Sequence, residues 1–260
     1  MQFTYLSESV TIKKVSETNT EGVFEIEGLY SGYGITVGSA LRRVLFSSLP
    51  GAAVTQFKIK GVQHEFSTVS KISEDVVEIG LNLKKVRFRV HTNEPQTLYL
   101  KVKGEKIVTA ADIETNSDVE VITPDVQIAT LTDKSAELNI ELTVERGLGF
   151  VPVEARKSEK LPIGTVAIDA AFSPVVKANF SVENMRVGDR TDYNRLIISV
   201  TTDGSIMPSA ALHKASNILK DHFDKASQIE VKEAEKVMPE EFESKSKKAP
   251  KKKTAKKSKK

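Results

Sequence analysis

"SGYGITVGSALRRVLFSSLPG", Ser31 to Gly51, sets Gly32, Gly34 and Gly38 at near-alternate positions and runs straight into a helix-like pattern with two adjacent arginines. A glycine-rich turn between a strand and a helix receives phosphate when backbone N–H groups and the helix dipole are open to the anion. The preceding "GVFEIEGLY" does read as a strand, but the spacing G-x-G-x-x-x-G is one residue longer than the dinucleotide fingerprint. No lysine followed by Ser or Thr is present, and no second strand carries an acid about 20 residues later. The competing reading is a tight turn whose glycines supply positive φ and let a helix pack closely.

After the turn, Val37, Ala40, Leu41, Val44, Leu45 and Ser48 follow the spacing i, i+3, i+4, i+7, i+8 of one helix face. At about 100° per residue, Ser39, Arg42, Arg43 and Phe46 share the opposite half. That half is either a solvated face with one stray aromatic or a protein-binding face, since arginine and aromatic residues concentrate in interface hot spots. Residue chemistry alone leaves both open.

Elsewhere the hydrophobic period is mostly two, as in "AVTQFKIKGV", "VRFRVHT", "TLYLKVKG", "AELNIELTVERG" and "RLIISVTTDG", so strands dominate. A second helical stretch carries Leu212, Ala215, Leu219, Phe223 and Ala226 on one face, with Pro208 placed for its first turn. A short third helix is expected in "EDVVEIGLNLK", Glu74 to Lys84. Strand-rich sequence with helices early, in the middle and late indicates an α+β fold rather than a repeating βαβ order.

The 260 residues are 39% hydrophobic and 28% charged, which supports a packed globular body. There is no cysteine, so disulfides and thiolate metal sites are excluded. The opening "MQFTYLSESV" lacks a basic and then apolar leader pattern, and no apolar run approaches a membrane span; a cytoplasmic location is expected. The net charge of +3 conceals two parts. Lys245 to Lys260 contributes ten of the 38 basic residues and no acid, leaving 28 against 35 acidic ones, a body of −7. Such a body is poorly suited to wrapping nucleic acid, whereas the tail, with Lys251, Lys252, Lys253, Lys256 and Lys257 at its centre, suits phosphate contact. The tail is expected to be disordered, behind an acid-rich linker that starts near Ile229.

No catalytic constellation is visible. Nucleotidyl transfer needs clustered carboxylates for two magnesium ions, and the aspartates here are scattered. Asp203 in "TTDGS" fits an Asp-Gly turn, and Asp189 and Asp192 in "GDRTDY" fit a local ion pair with Arg190. His64, His91, His213 and His222 lack metal-ligand spacing.

"GYGITVGSALRRVLFSSLPG" resembles the first-helix segment of the alpha subunit of bacterial and plastid RNA polymerase. Further segments fall in that family's order: "GVQHEFST", "EDVVEIGLNLK", "VTAADI", "VERGLGFVP", "FSPV", "VGDRTDYNRL" and "AALHKASNIL". The resemblance covers roughly residues 1 to 225. It implies a non-catalytic assembly subunit: a homodimer that recruits the beta and beta-prime subunits into DNA-directed RNA polymerase, with omega and sigma in the assembled enzyme and no membrane partner. Any magnesium or zinc would belong to the partner subunits, with no cofactor in this chain. It places the protein in the cytoplasm with the nucleoid, or in the plastid stroma.

The resemblance also implies a discontinuous dimerisation domain from 1–50 and 166–230, an insert domain at 51–165, and 231–260 as linker and tail. It assigns Val37, Leu41, Val44, Leu45, Leu212, Leu219 and Phe223 to the dimer interface. Arg42, Arg43 and Phe46 fall where the family contacts beta, with His64 and Glu65 nearby. Lys84 falls at a position associated with the larger subunits, beta-prime foremost. Ser39 stands where the family usually has asparagine, and the lysine tail stands where the family usually continues into a helical DNA-binding domain, so that domain is expected to be missing. The alternative is a lysine-tailed nucleic-acid binder outside any polymerase. Ten lysines without an interleaved aromatic contact phosphates and do not read bases. Removing Lys245 to Lys260 is therefore expected to lower the affinity of the assembled enzyme equally for unrelated duplexes, and to flatten the plot of log affinity against log salt by about 0.9 for each phosphate that the tail had neutralised.

Overall fold

The computed structural model describes residues 10–156 and 162–229, and the acidic linker and the lysines of the tail, Lys251, Lys252, Lys253, Lys256 and Lys257 among them, lie outside these. The hairpin of β1 (Thr11–Glu17) and β2 (Glu21–Leu29) leads through the glycine turn into α1 (Tyr33–Ser47). Next come β3 (Pro50–Ile59), α2 (Val76–Leu83), β4 (Phe88–Val90), β5 (Gln96–Lys103), β6 (Lys106–Thr109), β7 (Ile113–Glu114) and β8 (Val119–Val121). They are followed by β9 (Gln127–Leu131), β10 (Glu137–Leu148), β11 (Phe150–Val151), β12 (Thr165–Ala167) and β13 (Ala170–Ala171). A long hairpin, β14 (Val175–Val187) and β15 (Arg190–Thr202), then leads to α3 (Pro208–Ala226). The fold is α+β.

Apart from β6-β9 and β11-β13, which pair separately as two-stranded sheets, two main sheets carry the two larger cores. The smaller, antiparallel in the order β1-β2-β15-β14, draws its strands from distant parts of the chain. Its inward residues Phe24, Ile26, Leu196, Ile198 and Val200 are buried under α1 and α3. Its outer face is crossed by an ion-pair ladder from Lys13 to Glu27 (2.5 Å), Glu27 to Arg195 (3.1 Å) and Arg195 to Glu183 (3.8 Å). The larger sheet runs β7-β5-β10-β3-β4-β8, with β12 added on β3. Alternation in β5 and β10 sends Leu98, Leu100, Leu138, Ile140 and Leu142 into the second core, which α2 joins through Val76, Ile79 and Leu83. Arg89 of β4 ties this core to the loop before α3, donating to the carbonyls of Gly204 and Ser205 at 3.0–3.3 Å.

Helix α1 is rolled about its axis relative to the apolar pattern of its sequence. The buried line is Gly34, Gly38, Leu41 and Leu45. A β-carbon on Gly38 would lie 2.6 Å from the Phe180 ring, and one on Gly34 would lie 2.7 Å from Val182, so the missing side chains set the distance between helix and sheet. The roll corrects one expectation. Phe46 is half-buried against the small-sheet core and does not stand among the arginines in solvent. Leu41, Leu45 and, on α3, Leu212 are consumed by the chain's own core, which leaves Val37 and Val44 half-buried at its margin.

Replacing Gly38 by Ala improves helix propensity by roughly 1 kcal/mol but drives a methyl group into Phe180. The overlap is expected to prevail, with a net loss of about 1–3 kcal/mol in urea unfolding followed by circular dichroism, whereas Ser39→Ala on the exposed side is expected to be neutral or slightly stabilising.

Candidate functional site

The glycine turn is not an open anion site. Gly32 takes φ +83° ahead of α1, as a tight turn demands. The side-chain oxygen of buried Asn194, on β15, accepts from the N–H groups of Gly32 (2.9 Å) and Gly34 (3.3 Å). Donors that a phosphate would need are thus satisfied by a strand 160 residues away. The start of α3 is held the same way: the Glu17 carboxylate accepts from the Ser209 N–H at 2.8 Å and pairs with Lys14 at 3.0 Å. Bonds from the Ser209 hydroxyl, from Lys14 and from the Ser209 amide lower the Glu17 pKa to about 2. Both helices therefore have their N-termini fixed to the small sheet.

Three exposed places bear on the expected contacts. On α1, Arg42 and Arg43 are exposed and their guanidinium groups make no hydrogen bond or ion pair among the described residues, and Ser39 is exposed beside them. On α3, Leu219 is half-buried, while the last turns, Asp221 to Ala226, are exposed on every side, with Phe223 66% accessible. On the larger sheet, a shallow groove runs between α2 and β12, lined by Glu65, Val77, Leu81, Lys84 and Asp169. Lys84 pairs with Asp169 at 3.1 Å and stands 5.6 Å from the centre of the Phe150 ring. The Val153 N–H and then Lys84 hold the Asp169 pKa below the usual aspartate value.

The structure thus brings Glu65 and Lys84 to one groove. It leaves Arg42, Arg43 and Phe46 on a different core, and His64 outside the groove, with its Nδ1 3.1 Å from the Ser67 hydroxyl. Sequence reading missed Val77, Leu81, Phe150 and the fully presented Phe66. Val77, Leu81 and Lys84 carried a signal, since their i, i+4, i+7 spacing forms a stripe opposite the buried one. Among the described residues no cluster of His, Cys, Asp or Glu is placed to hold a metal ion, and no helix is long and apolar enough to cross a membrane.

Comparison with known proteins places the chain in a family. The family described as the RNA polymerase Rpb3/RpoA insert domain matches residues 57–173. The chain is 50% identical over 215 residues to the DNA-directed RNA polymerase subunit alpha of Alkaliphilus oremlandii, covering 83% of this chain and 68% of that one. It is 49% identical over 210 residues to the same subunit of Symbiobacterium thermophilum, covering 81% and 66%, and 48% identical over 211 residues to that of Oceanobacillus iheyensis, covering 81% and 67%. The chain belongs to the family of DNA-directed RNA polymerase alpha subunits. Alpha-subunit membership removes support for the alternative of a lysine-tailed binder outside a polymerase. It also gives the stripes on α2 and α3 a context, since a subunit of an assembly presents apolar surface that a monomer would cover.

The depressed Glu17 pKa makes the anchor of α3 acid-labile. Because the folded value lies below the ordinary 4.5, the anchor's contribution is complete above 4.5 and fades as pH falls toward about 2. Glu17→Gln is expected to lower the thermal midpoint at pH 7, with the gap to wild type closing near pH 2, as measured by calorimetry across that range.

Proposed function

We propose that this chain is the non-catalytic scaffold of a DNA-directed RNA polymerase: two copies pair, and the pair recruits the beta and beta-prime subunits. Half-identity to alpha subunits along more than four-fifths of the chain is the observation that carries this reading. The division proposed is a dimerisation unit from 1–50 and 166–230 around the small sheet, and an insert from 51–165 around the large one.

The second copy is assigned to the free end of α3. Phe223 and Leu219 lie on one helical face, and an apolar stripe on a helix with no neighbour is stable in water only when it is covered. Val37 and Val44, half-buried at the margin of the small-sheet core, are assigned to the same interface. Leu41, Leu45 and Leu212 support the surface from inside. Arg42 and Arg43 are assigned to beta, and the groove of Glu65 and Lys84 to a larger subunit. The metal ions of nucleotidyl transfer belong, in this reading, to those larger subunits.

Because Phe223 touches little of its own chain, its replacement separates dimerisation from folding. Phe223→Glu is expected to leave the far-ultraviolet circular dichroism of the folded chain unchanged while raising the dimer dissociation constant about a hundredfold or more, read by sedimentation velocity. A wild-type chain that sediments as a monomer at micromolar concentration would overturn the reading.

A further inference from the structure

Helix α2 is only eight residues long, too short to persist through its own hydrogen bonds, yet it presents Val77, Leu81 (56% exposed) and Lys84 as one stripe. Apolar packing through Val76, Ile79 and Leu83 fixes its depth. Two polar contacts, both to β9, fix its rotation and register. Just before the helix, buried Glu74 accepts from the Thr130 N–H (2.6 Å), the Thr130 hydroxyl (2.9 Å) and the Gln127 side-chain amide (3.4 Å). Near its end, Asn82 donates to the Ile128 carbonyl at 3.1 Å. The two anchor points on β9, Ile128 and Thr130, are two residues apart and so lie on the same side of that strand. A buried carboxylate without a cation is costly unless its lone pairs are met, and here three donors meet them.

We infer that Glu74 and Asn82 are positioning residues that pin the two ends of α2 to β9 and hold its exposed stripe in the orientation a larger polymerase subunit docks on. Neither residue is part of the groove lining; each acts through the helix. The inference rests on the proposed assignment of the α2 groove to a larger subunit. In Glu74→Gln one carboxylate oxygen becomes an amide donor facing Thr130, so the bonds from its N–H and its hydroxyl cannot both persist in their present form. In Asn82→Ala the Ile128 carbonyl loses its side-chain donor. Both changes loosen the ends of α2 and leave Val76, Ile79 and Leu83 in place.

The test uses the full chain with purified beta and, separately, beta-prime, at a temperature where every variant is fully folded by near-ultraviolet circular dichroism. Affinity by titration calorimetry is paired with site-resolved amide hydrogen exchange. The expected result is that Glu74→Gln and Asn82→Ala each weaken capture of one larger subunit about tenfold and speed exchange within Val76–Leu83, with exchange in β10 unchanged. Val102→Ala, which trims the same core away from α2, is expected to leave capture unchanged. If Leu81→Glu and Lys84→Ala weaken capture and the two pin variants do not, the positioning role is wrong while the docking reading stands. If none of the four changes capture, the docking reading fails and takes the inference with it. A loss in Val102→Ala equal to that of the pin variants would assign the effect to general stability and overturn the role.

Discussion

The closeness of α1 to the small sheet governs this molecule. With no side chains at Gly34 and Gly38, the helix backbone rests on Phe180 and Val182 of β14, and Leu41 and Leu45 follow them into the core along the same line. A bulkier line would lift the helix, expose Leu196 and Ile198, and carry α1 away from Asn194. The same approach brings α3 against α1, and the carboxylate of Glu17 fixes the start of α3 to the far edge of the sheet. Two helices held at their N-termini on one sheet leave a single free end, the last turns of α3.

The surfaces left over differ in kind from the cores beneath them. Where a helix touches its own sheet the buried contacts are small or aliphatic, mainly leucine, glycine and alanine on α1 and α3 and valine, isoleucine and leucine on α2; where it faces outward they are arginine on α1, phenylalanine on α3 and a valine, leucine and lysine stripe on α2. On the outer face of the small sheet, by contrast, alternating charges from four strands pair with one another. That face pairs its charges within the chain, although Arg195 Nε is buried without a partner, and pairs of this kind at a surface contribute little to stability. The contrast separates surface that has found its partners within the chain from surface that has not.

Much of this was legible in the sequence because it rests on local period and punctuation. The alternation in "TLYLKVKG" and "AELNIELTVERG" is the alternation of β5 and β10, and Pro208 marks the first turn of α3. The Asp-Gly turn is there as well, with the Asp203 carboxylate accepting from Ser205 and Gly204 at φ +89°. The roll of α1 was not legible, since a search for apolar period passes over glycine, whose contribution is the contact its absent side chain permits. The bonds of Asn194 to Gly32 and of Glu17 to Ser209 join residues 162 and 192 apart, and no local spacing encodes them. Strands of two or three residues, such as β7, β8 and β11, are too short to show a period at all.

The strand order of the small sheet carries a consequence for the chain as it leaves the ribosome. β2 pairs with β15, and Leu29 and Arg190 are separated by the whole of the large sheet. At roughly 5–20 residues per second, the first hairpin waits on the order of 8–30 s for its neighbour to be synthesised. A two-stranded hairpin is marginal in water, so Phe24 and Ile26 spend that interval without a core. The residues of the second core, from Ala52 to Val166, emerge as one uninterrupted stretch and can pack during the wait. Vectorial synthesis thus favours an inside-out order, in which the middle of the chain folds first and the two ends meet across it.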